Sequence, residues 1–424
     1  MEVLKPTLKA NQEGAVSALS IAPYFPFAGV VPSEQTVEEV ACGEAWATIG
    51  LESEPGAWPA CSGCGQVCWP IHSYGARCVR DLNLAHARVD LIVPQRKVRC
   101  ETCGIRVEAL SFVEPYRRFT KRFERAVAEL CRKLPIQDVA EYFGLSWSTV
   151  KAIDRRRLVA EVGTPCYDGL RLLAVDEIAV RKGHNYLTIV LDLESGRVVW
   201  LGEGRSEETL AGFFAELTPP QRAAIEAVAT DMAAGYGRAI QEACPQAKLV
   251  YDLFHVVAKY SREVVDVVRS QEAKRYVGPD RRFIKRSRYL LLRNHADLWP
   301  DERLRLRALL EANDRLNTVY VLKDQLKDIW SYRREGWARR ALARWCGLAL
   351  ESDIVPLVRF ARNLLRHAQG ILNHCRYPIH TGRLEGVNNK IKVMKRIAYG
   401  YRDQDYFILK IKDAFRGSLQ PNPR

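Results

Sequence analysis

The sequence lacks both a long apolar run and a recognisable export signal. The apolar stretch at residues 15–31 is interrupted by Pro23 and Pro26 and has no basic segment at its start, and other apolar runs are shorter. A membrane-spanning helix needs about 20 apolar residues, and a secretory signal begins with basic ones. We therefore predict neither a signal peptide nor a membrane span. Internal repeats and low-complexity tracts are also absent, which leaves ordinary globular domains.

Cysteine is too sparse for a disulfide framework. The twelve cysteines are spread over 424 residues, whereas disulfide scaffolds concentrate them in small secreted chains. Four of the twelve form two Cys-x-x-Cys pairs. This pattern favours metal binding in a reducing compartment.

Length and charge indicate a multidomain protein with a polyanionic partner. A chain of 424 residues exceeds what one hydrophobic core usually serves, so several domains are expected. The net charge is +14, yet residues 1–60 hold eight Glu and two Lys. An acidic N-terminal segment followed by a basic body favours nucleic acid as the partner.

The two Cys-x-x-Cys pairs predict a zinc module over residues 61–110. Each pair is followed by a glycine, which accepts the positive φ of a tight turn, and short strands such as 89–93 lie between them. Four thiolates suit one structural Zn²⁺ per chain, and the predicted ligands are Cys61, Cys64, Cys100 and Cys103. Two alternatives remain open. One is a substitute ligand from Cys68, Cys78 or His72, and the other is a set of buried cysteines without metal.

Residues 119–160 have the pattern of a three-helix domain with a helix-turn-helix. After a first helix at about 121–133, Ala140 permits close helix approach, Gly144 suits a left-handed turn and Ser146 can cap the next helix. The predicted inward side chains are Val139, Phe143, Leu145, Val150 and Ile153. The predicted exposed side chains are Trp147, Ser148, Lys151, Asp154, Arg155, Arg156 and Arg157. Those at the start of the helix suit contacts to base edges, and the arginines at its end suit contacts to phosphates. An ordinary helical hairpin is the alternative.

From residue 168 the pattern becomes mixed α/β. The predicted strands are 170–180, 186–193, 198–203, 224–230 and 247–252, with helices at 206–217 and 233–243. This order is that of an RNase H-like domain, with its first part at 168–255. Residues 256–375 read as an all-helical insertion whose tryptophans, Trp299, Trp330, Trp337 and Trp345, are expected mostly in the core. Its basic segment at 281–288 is a weak candidate for phosphate contact. Residues 376–424 supply a last catalytic helix and a basic tail.

Three separated acidic residues fit phosphoryl transfer. Asp176 and Asp231 stand where apolar runs stop, and Glu385 lies in a helical stretch rich in Lys and Asn. Two-metal catalysis needs carboxylates brought to one point from different elements. We therefore predict that these three meet and that the protein transfers DNA strands.

These motifs together resemble the ISL3 group of bacterial insertion-sequence transposases, within the DDE, RNase H-like superfamily. The resemblance runs from about Cys61 to the end of the chain and rests on the cysteine pairs and on four segments, at 174–177, 229–232, 252–255 and 382–392. It implies Asp176, Asp231 and Glu385 as the catalytic triad and Mg²⁺ as the metal, two ions per site, for which Mn²⁺ can substitute. It also implies a bacterial, cytoplasmic protein that is nucleoid-associated when bound to DNA.

The expected partners are the double-stranded terminal inverted repeats of the element and its target DNA. Pairing two DNA ends argues for at least a homodimer. Asn388, Asn389 and Lys392 follow Glu385 at helical spacing, which predicts contacts to the substrate strand. Asp252 and His255 are accessory candidates at the end of the fifth strand, whereas alternation points Glu177 away from Asp176.

Two other function classes stay open on the sequence. One is a nuclease or resolvase on the same fold, which cuts DNA without joining strands. The other is a DNA-binding regulator derived from a transposase that has lost catalysis. The sequence leaves undecided the terminal repeat, the target site and the type of DNA intermediate.

Overall fold

A computed structural model of the protein describes residues 22–39, 45–181, 185–232, 234–379 and 382–417. The chain forms two compact units, Met1–Arg157 and Leu158–Arg424. Within the described residues, no helix is both long and apolar enough to cross a lipid bilayer.

The first unit is built on a five-stranded sheet of order β1-β2-β4-β3, with β5 paired to the far end of β4. The strands are β1 (Val30–Glu39), β2 (Ala45–Ser53), β3 (Ile71–Leu84), β4 (Ala87–Cys100) and β5 (Gly104–Val107). β2 and β4 are parallel and the other pairs are antiparallel. As the alternation at 89–93 predicts, Val89, Leu91 and Val93 are buried in the core of this sheet.

The part of the N-terminal segment that the structure describes differs from the sequence expectation. Residues 30–39 and 45–53, for which no secondary structure was predicted, form β1 and β2 of this sheet. β1 is an edge strand that is exposed along nearly its whole length, so it has no apolar alternation to reveal it. Strands β3 and β4 have 14 residues each and are longer than the short strands expected there.

Three helices follow this sheet: α1 (Lys121–Leu130), α2 (Ile136–Phe143) and α3 (Trp147–Val162), and α3 belongs to the first unit up to Arg157. Their predicted inward side chains form one cluster, in which Val139, Phe143, Val150 and Ile153 are buried and Leu145 is partly buried. Phe123 of α1 lies at its centre, edge to face with the ring of Phe143 at 5.2 Å.

The second unit contains a five-stranded mixed sheet of order β10-β9-β6-β7-β8. Its strands are β6 (Leu172–Arg181), β7 (Asn185–Asp192), β8 (Val198–Glu203), β9 (Ala227–Thr230) and β10 (Lys248–Tyr251). β6, β9 and β10 are parallel, whereas β7 is antiparallel to both of its neighbours. The helices between the strands are α4 (Glu207–Ala215), α5 (Pro219–Ala224) and α6 (Ala234–Ala243). The short α5, begun by a capping box of Thr218 and Gln221, replaces the start of the strand predicted at 224.

The rest of the second unit is helical. Its helices are α7 (Leu253–Tyr260), α8 (Asp266–Arg275), α9 (Gly278–Arg286), α10 (Arg288–Leu292), α11 (Pro300–Glu311), α12 (Asp314–Asp328), α13 (Glu335–Glu351), α14 (Val355–Arg366), α15 (Ala368–Leu372), α16 (Gly382–Ile397) and α17 (Gln404–Ala414). Helices from α7 to α15 share one apolar core. Trp345 is buried in that core and Trp330 packs against it. The expectation is wrong for Trp299 and Trp337, which are 70% and 54% exposed, because helical spacing alone does not tell which face is covered.

Helices cover both faces of the second sheet. On one face Leu173 and Val175 pack with Tyr236 and Ile240 of α6. On the other face Ala174 and Ile178 pack with side chains of α16 and α17. The alternation along β6 therefore decides which helix each of its polar residues meets.

Candidate active site and metal centre

The four predicted zinc ligands come together in the first unit. The sulfur atoms of Cys61, Cys64, Cys100 and Cys103 all lie within 4.8 Å of one another. Gly65 and Gly104 have φ of +77° and +73°, so each pair ends in the tight turn that the sequence predicts. Backbone N–H groups of Gly63 and Cys103 donate to the sulfurs of Cys61 and Cys100 at 3.3 and 3.4 Å.

This geometry fits a structural Zn²⁺. Tetrahedral coordination with Zn–S bonds of about 2.3 Å places the sulfurs about 3.8 Å apart, and the Cys64 and Cys100 sulfurs are 3.5 Å apart. The backbone donor of Cys103 and the neighbouring Cys64 thiol lower the pKa of Cys100 to about 6. The same thiol cluster raises the pKa of Cys103 to about 12, Cys64 having the largest effect. Such a set releases protons when a cation binds.

The substitute ligands are placed outside this cluster. Cys68 packs beside it, but its thiol donates to the backbone oxygen of Gln66 at 3.3 Å. His72 is exposed, with Nδ1 3.3 Å from the hydroxyl of Ser73, and Cys78 is exposed on β3. Of the ligand sets that the sequence left open, the structure brings together the four paired cysteines.

The turn between α2 and α3 has the predicted helix-turn-helix details. Gly144 ends α2 in the left-handed conformation, with φ of +59°. The hydroxyl of Ser146 accepts the backbone N–H of Thr149 at 3.3 Å, which caps α3. Trp147 and Ser148 are exposed at the start of α3, where a recognition helix meets base edges.

The basic end of α3 differs from the prediction. Asp154, which was predicted to be exposed, is fully buried. It forms an ion pair with Arg157, whose side chain is 9% exposed. Arg156 forms an ion pair with Glu124 of α1 at 2.6 Å. Arg155 is the exposed arginine of the three. The sequence could not show this, because an aspartate one turn from an arginine is equally common on a solvated face.

This arrangement predicts opposite effects for two neighbouring arginines. Arg157→Ala should lower the free energy of unfolding by about 3 kcal/mol, because it removes a partner of a buried carboxylate. Arg155→Ala should lower the free energy of unfolding much less, because the Arg155 side chain is exposed, and should weaken DNA binding. Thermal unfolding and DNA titration of both variants test this. The interpretation fails if the Arg157 variant is as stable as the parent, or if the Arg155 variant binds DNA as well as the parent.

Asp176 and Asp231 are brought to the same level of the second sheet. Asp176 lies in the middle of β6, opposite Ile189 of β7, and not at a strand end as predicted. The parallel partner β9 pairs with β6 up to Ala174 and Ala229 and ends at Thr230. Continuing that register by two residues puts Asp231 level with Asp176. The strand continues beyond Asp176 only because β7 still pairs with it.

Asp176 is held by the helix that bears Glu385. The Asn388 amide donates to one carboxylate oxygen of Asp176 at 2.6 Å, and the backbone N–H of Glu177 donates to the other at 2.8 Å. Asn388 is buried, which makes it a positioning residue for Asp176 rather than the DNA contact expected from the sequence. Glu385 lies one turn earlier on α16 and is exposed, as are Asn389 and Lys392.

Burial is the main influence on the Asp176 carboxyl and raises its pKa above the ordinary 3.8. The hydrogen bonds from Glu177 and Asn388 and the charge of His255 oppose this effect, whereas the charge of Asp231 adds to it. Asp231 and His255 are therefore close enough to Asp176 to act on it electrostatically. Two carboxylates that are close together and partly removed from water repel each other, which favours the binding of a cation.

The oxygen-rich set at Asp176 suits a hard divalent cation such as Mg²⁺. Each oxygen of Asp176 accepts one hydrogen bond and keeps a second lone pair. The amide oxygen of Asn388 is buried and has no hydrogen-bond partner among the described residues. In the same residues, the four cysteines form the only group of three or more metal-binding side chains with all donor atoms within 4.8 Å. The three carboxylates are therefore not drawn together to that distance.

The residues next to this site have separable roles. Glu177 points to the opposite face of β6, as predicted, where it meets Tyr236 of α6. Asp252 begins α7 instead of ending a strand, and its carboxylate accepts the backbone N–H of Phe254 at 2.9 Å. Asp252 is thus a helix cap, whereas His255, in the first turn of α7, is close enough for its charge to act on Asp176.

The raised pKa of Asp176 predicts a pH-dependent gain in stability for Asp176→Asn. The folded protein binds this proton more tightly than the unfolded chain, so ionisation of Asp176 destabilises the fold as the pH rises above 3.8. Without divalent cations, the variant should have the higher melting temperature at neutral pH, and the difference should shrink toward 3.8.

A cation titration supplies the control. Added Mg²⁺ should stabilise the parent more than the variant, because only the parent keeps the charged ligand. Equal melting temperatures at neutral pH without cations would contradict the assigned electrostatics.

The chain matches three protein families in succession. Residues 58–103 match the zinc-finger of transposase IS204/IS1001/IS1096/IS1165, residues 108–158 match the helix-turn-helix domain of transposase family ISL3, and residues 173–411 match a family described as transposase. The chain is 48% identical over 363 residues to the transposase for insertion sequence element IS1001 of Bordetella parapertussis, which covers 85% of this chain and 89% of that protein. It is 30% identical over 373 residues to the transposase for insertion sequence element IS1557 of Mycobacterium tuberculosis strains CDC 1551 / Oshkosh and H37Rv, covering 82% and 84% of the two lengths.

Proposed function

We propose, from the premise that this chain belongs to the ISL3 family of insertion-sequence transposases, that it binds the terminal inverted repeats of its element and cleaves and joins DNA strands at Asp176, Asp231 and Glu385. The observation that supports this best is the shared face of the second sheet. Asp176 lies on the face covered by α16, the helix of Glu385, and Asp231 follows the neighbouring parallel strand at the level of Asp176.

The strand order supports an RNase H-like catalytic domain. In chain order, the first strand of the sheet lies at its centre, antiparallel to the second strand and parallel to the fourth. The helical elements α7 to α15 stand between the fifth strand and α16, as in the insertion that the sequence predicts. Asp176 on the central strand then meets α16, and Asp231 follows the parallel neighbour at the same level.

The three carboxylates would hold two Mg²⁺ ions. Bound there, the ions would activate the attacking water or DNA 3′-hydroxyl and stabilise the leaving oxygen. The protein's own side chains prepare the site. Asn388 would fix the orientation of Asp176, and the charge of His255 acts on the same carboxylate. Glu385 is exposed one turn before Asn388 on the same anchored helix and would supply the third carboxylate.

The zinc module and the helix-turn-helix would recognise the terminal repeats. Trp147 and Ser148 would meet base edges at the start of α3, and exposed Arg155 would follow them. Lys151, which was predicted to be exposed, is half-buried over the Trp147 ring and would contact DNA beside it. Arg156 and Arg157 would mainly hold α3 in place through their ion pairs with Glu124 and Asp154. Two copies of the chain would bring the two ends of the element together.

The test is a cleavage and joining assay with labelled DNA that carries an end of the element. Nicked and joined products that depend on Mg²⁺ are expected. Cleavage without joining would identify a nuclease or resolvase, and binding without cleavage would identify a regulator. Either outcome would overturn the proposed strand transfer.

A further inference from the structure

A basic groove lies in the helical part of the second unit, between α14 and the helix that starts with α7. Its volume is about 670 Å³. One wall carries Lys259 and Arg262, and the other carries Arg359 and Arg366 with the amide of Asn363 between them. The single acidic side chain among the residues that line it is Glu263. The groove is therefore a concave surface with a large excess of positive charge.

The helix that forms the first wall contains an unusual turn, which keeps its groove-lining residues on one side of the helix. A π-helical turn, Ser261–Val265, joins α7 directly to α8. In an α-helix, residues four apart drift around the axis by about 40° per step. The extra residue of a π turn reverses part of this drift. Lys259, Val267 and Gln271 consequently line the same groove, although they span three turns.

Most of this charge has no ion-pair partner in the part of the chain that the structure describes. Among the described residues, Lys259, Arg359 and Arg366 make no ion pair, and Arg262 contacts only its exposed neighbour Glu263 at 3.4 Å. Burial is the largest cause that lowers the pKa of His367, and the positive charges of Lys259 and Arg366 lower it further. Arg366 also complements the C-terminal end of α14. That explanation does not extend to Arg359, which lies inside α14. It does not extend to Lys259 and Arg262 either, because α7 continues through the π turn into α8 without a free end.

The helix of the first wall also carries a residue of the carboxylate site. His255 is one helical turn before Lys259 on α7, and its charge acts on Asp176. A polyanion that follows this side of α7 would pass from the carboxylate site into the groove. Guanidinium groups bind phosphate oxygens through paired hydrogen bonds, and amides add neutral donors. Such contacts depend little on base sequence.

We propose that this groove binds the sugar-phosphate backbone of the DNA strand that occupies the carboxylate site, an inference that rests on the proposed function. The groove positions the strand and leaves its recognition to the first unit. Loss of the groove arginines should therefore weaken binding to all DNA sequences alike.

A photo-crosslinking experiment tests this without needing cleavage. The crosslinking residue benzoylphenylalanine replaces Asn363 in the groove or, as the control, Arg344, which is exposed on α13 outside it. The full-length proteins are irradiated with labelled random-sequence DNA, either duplex or single-stranded. Adducts at position 363 that exceed those at position 344 are expected. Equal adducts at the two positions, or none at 363, would overturn the proposal.

A matched pair of charge variants gives the second readout. Arg359→Ala/Arg366→Ala should flatten the dependence of log K on log salt by up to about 1.8 for duplex, or about 1.4 for single strands. Arg362→Ala/Arg344→Ala removes the same charge from exposed positions outside the groove and should have a smaller effect. Equal slopes in the two variants would contradict groove binding. Crosslinking by the position-363 protein, together with no cleavage by the parent, would refute the proposed strand transfer and leave the groove intact.

Discussion

Asp231→Asn and Glu385→Gln are each expected to reduce Mg²⁺-dependent nicking of an element end by about a thousandfold or more, with DNA binding retained. In the proposed site, each substitution removes one charged ligand of two divalent ions. Strand joining should fall with nicking, because in the proposed mechanism one metal site serves both steps. The measurement is nicking and joining of a labelled terminal-repeat substrate by folded variants.

Two controls separate chemistry from folding and binding. Glu177→Gln changes the acid next to Asp176 on the opposite face of β6 and should retain far more activity than the Asp231 variant. Ca²⁺ should allow the parent to assemble with DNA but not to turn over, since its looser coordination does not enforce in-line geometry. Substantial nicking by the Asp231→Asn or Glu385→Gln protein would refute this assignment of the active site.

The parts of the fold that sequence reasoning predicted have short-range signals. The cysteine pairs with their glycines, the Gly144 turn and the Ser146 cap each depend on a few adjacent residues. The strands of the second sheet are buried on both faces, so their apolar runs are distinct. These elements could be predicted because local chemistry and burial agree.

The missed features depend on contacts that are distant in sequence or on exposed surfaces. β1 was missed because an exposed edge strand shows no apolar period. The burial of Asp154 follows from packing in the helix-turn-helix, and that of Asn388 from the approach of α16 to β6, 212 residues earlier. The helical period predicts that Asn388 lies on the same helix face as Glu385. It does not tell whether that face contacts DNA or packs against Asp176.

Zinc is expected to be lost from the Cys61→Ser/Cys103→Ser protein together with the fold of the module around it. Structural zinc sites contribute about 10–16 kcal/mol of apparent binding free energy in small domains, and these two ligands belong to different cysteine pairs. Elemental analysis should give about one zinc per chain for the parent and a value near zero for the variant. The first unit should also unfold at a lower temperature.

Cys78→Ser is the matched control for this experiment, because Cys78 is exposed on β3 and lies outside the four-sulfur cluster. It should keep both zinc and stability. Acidification should release zinc from the parent, since protons compete for the thiolates, and Cys103, whose pKa is about 12 without metal, takes its proton most readily. Zinc retained by the double variant would instead point to Cys68, the buried thiol packed against the cluster, as a ligand that the paired-cysteine assignment omits.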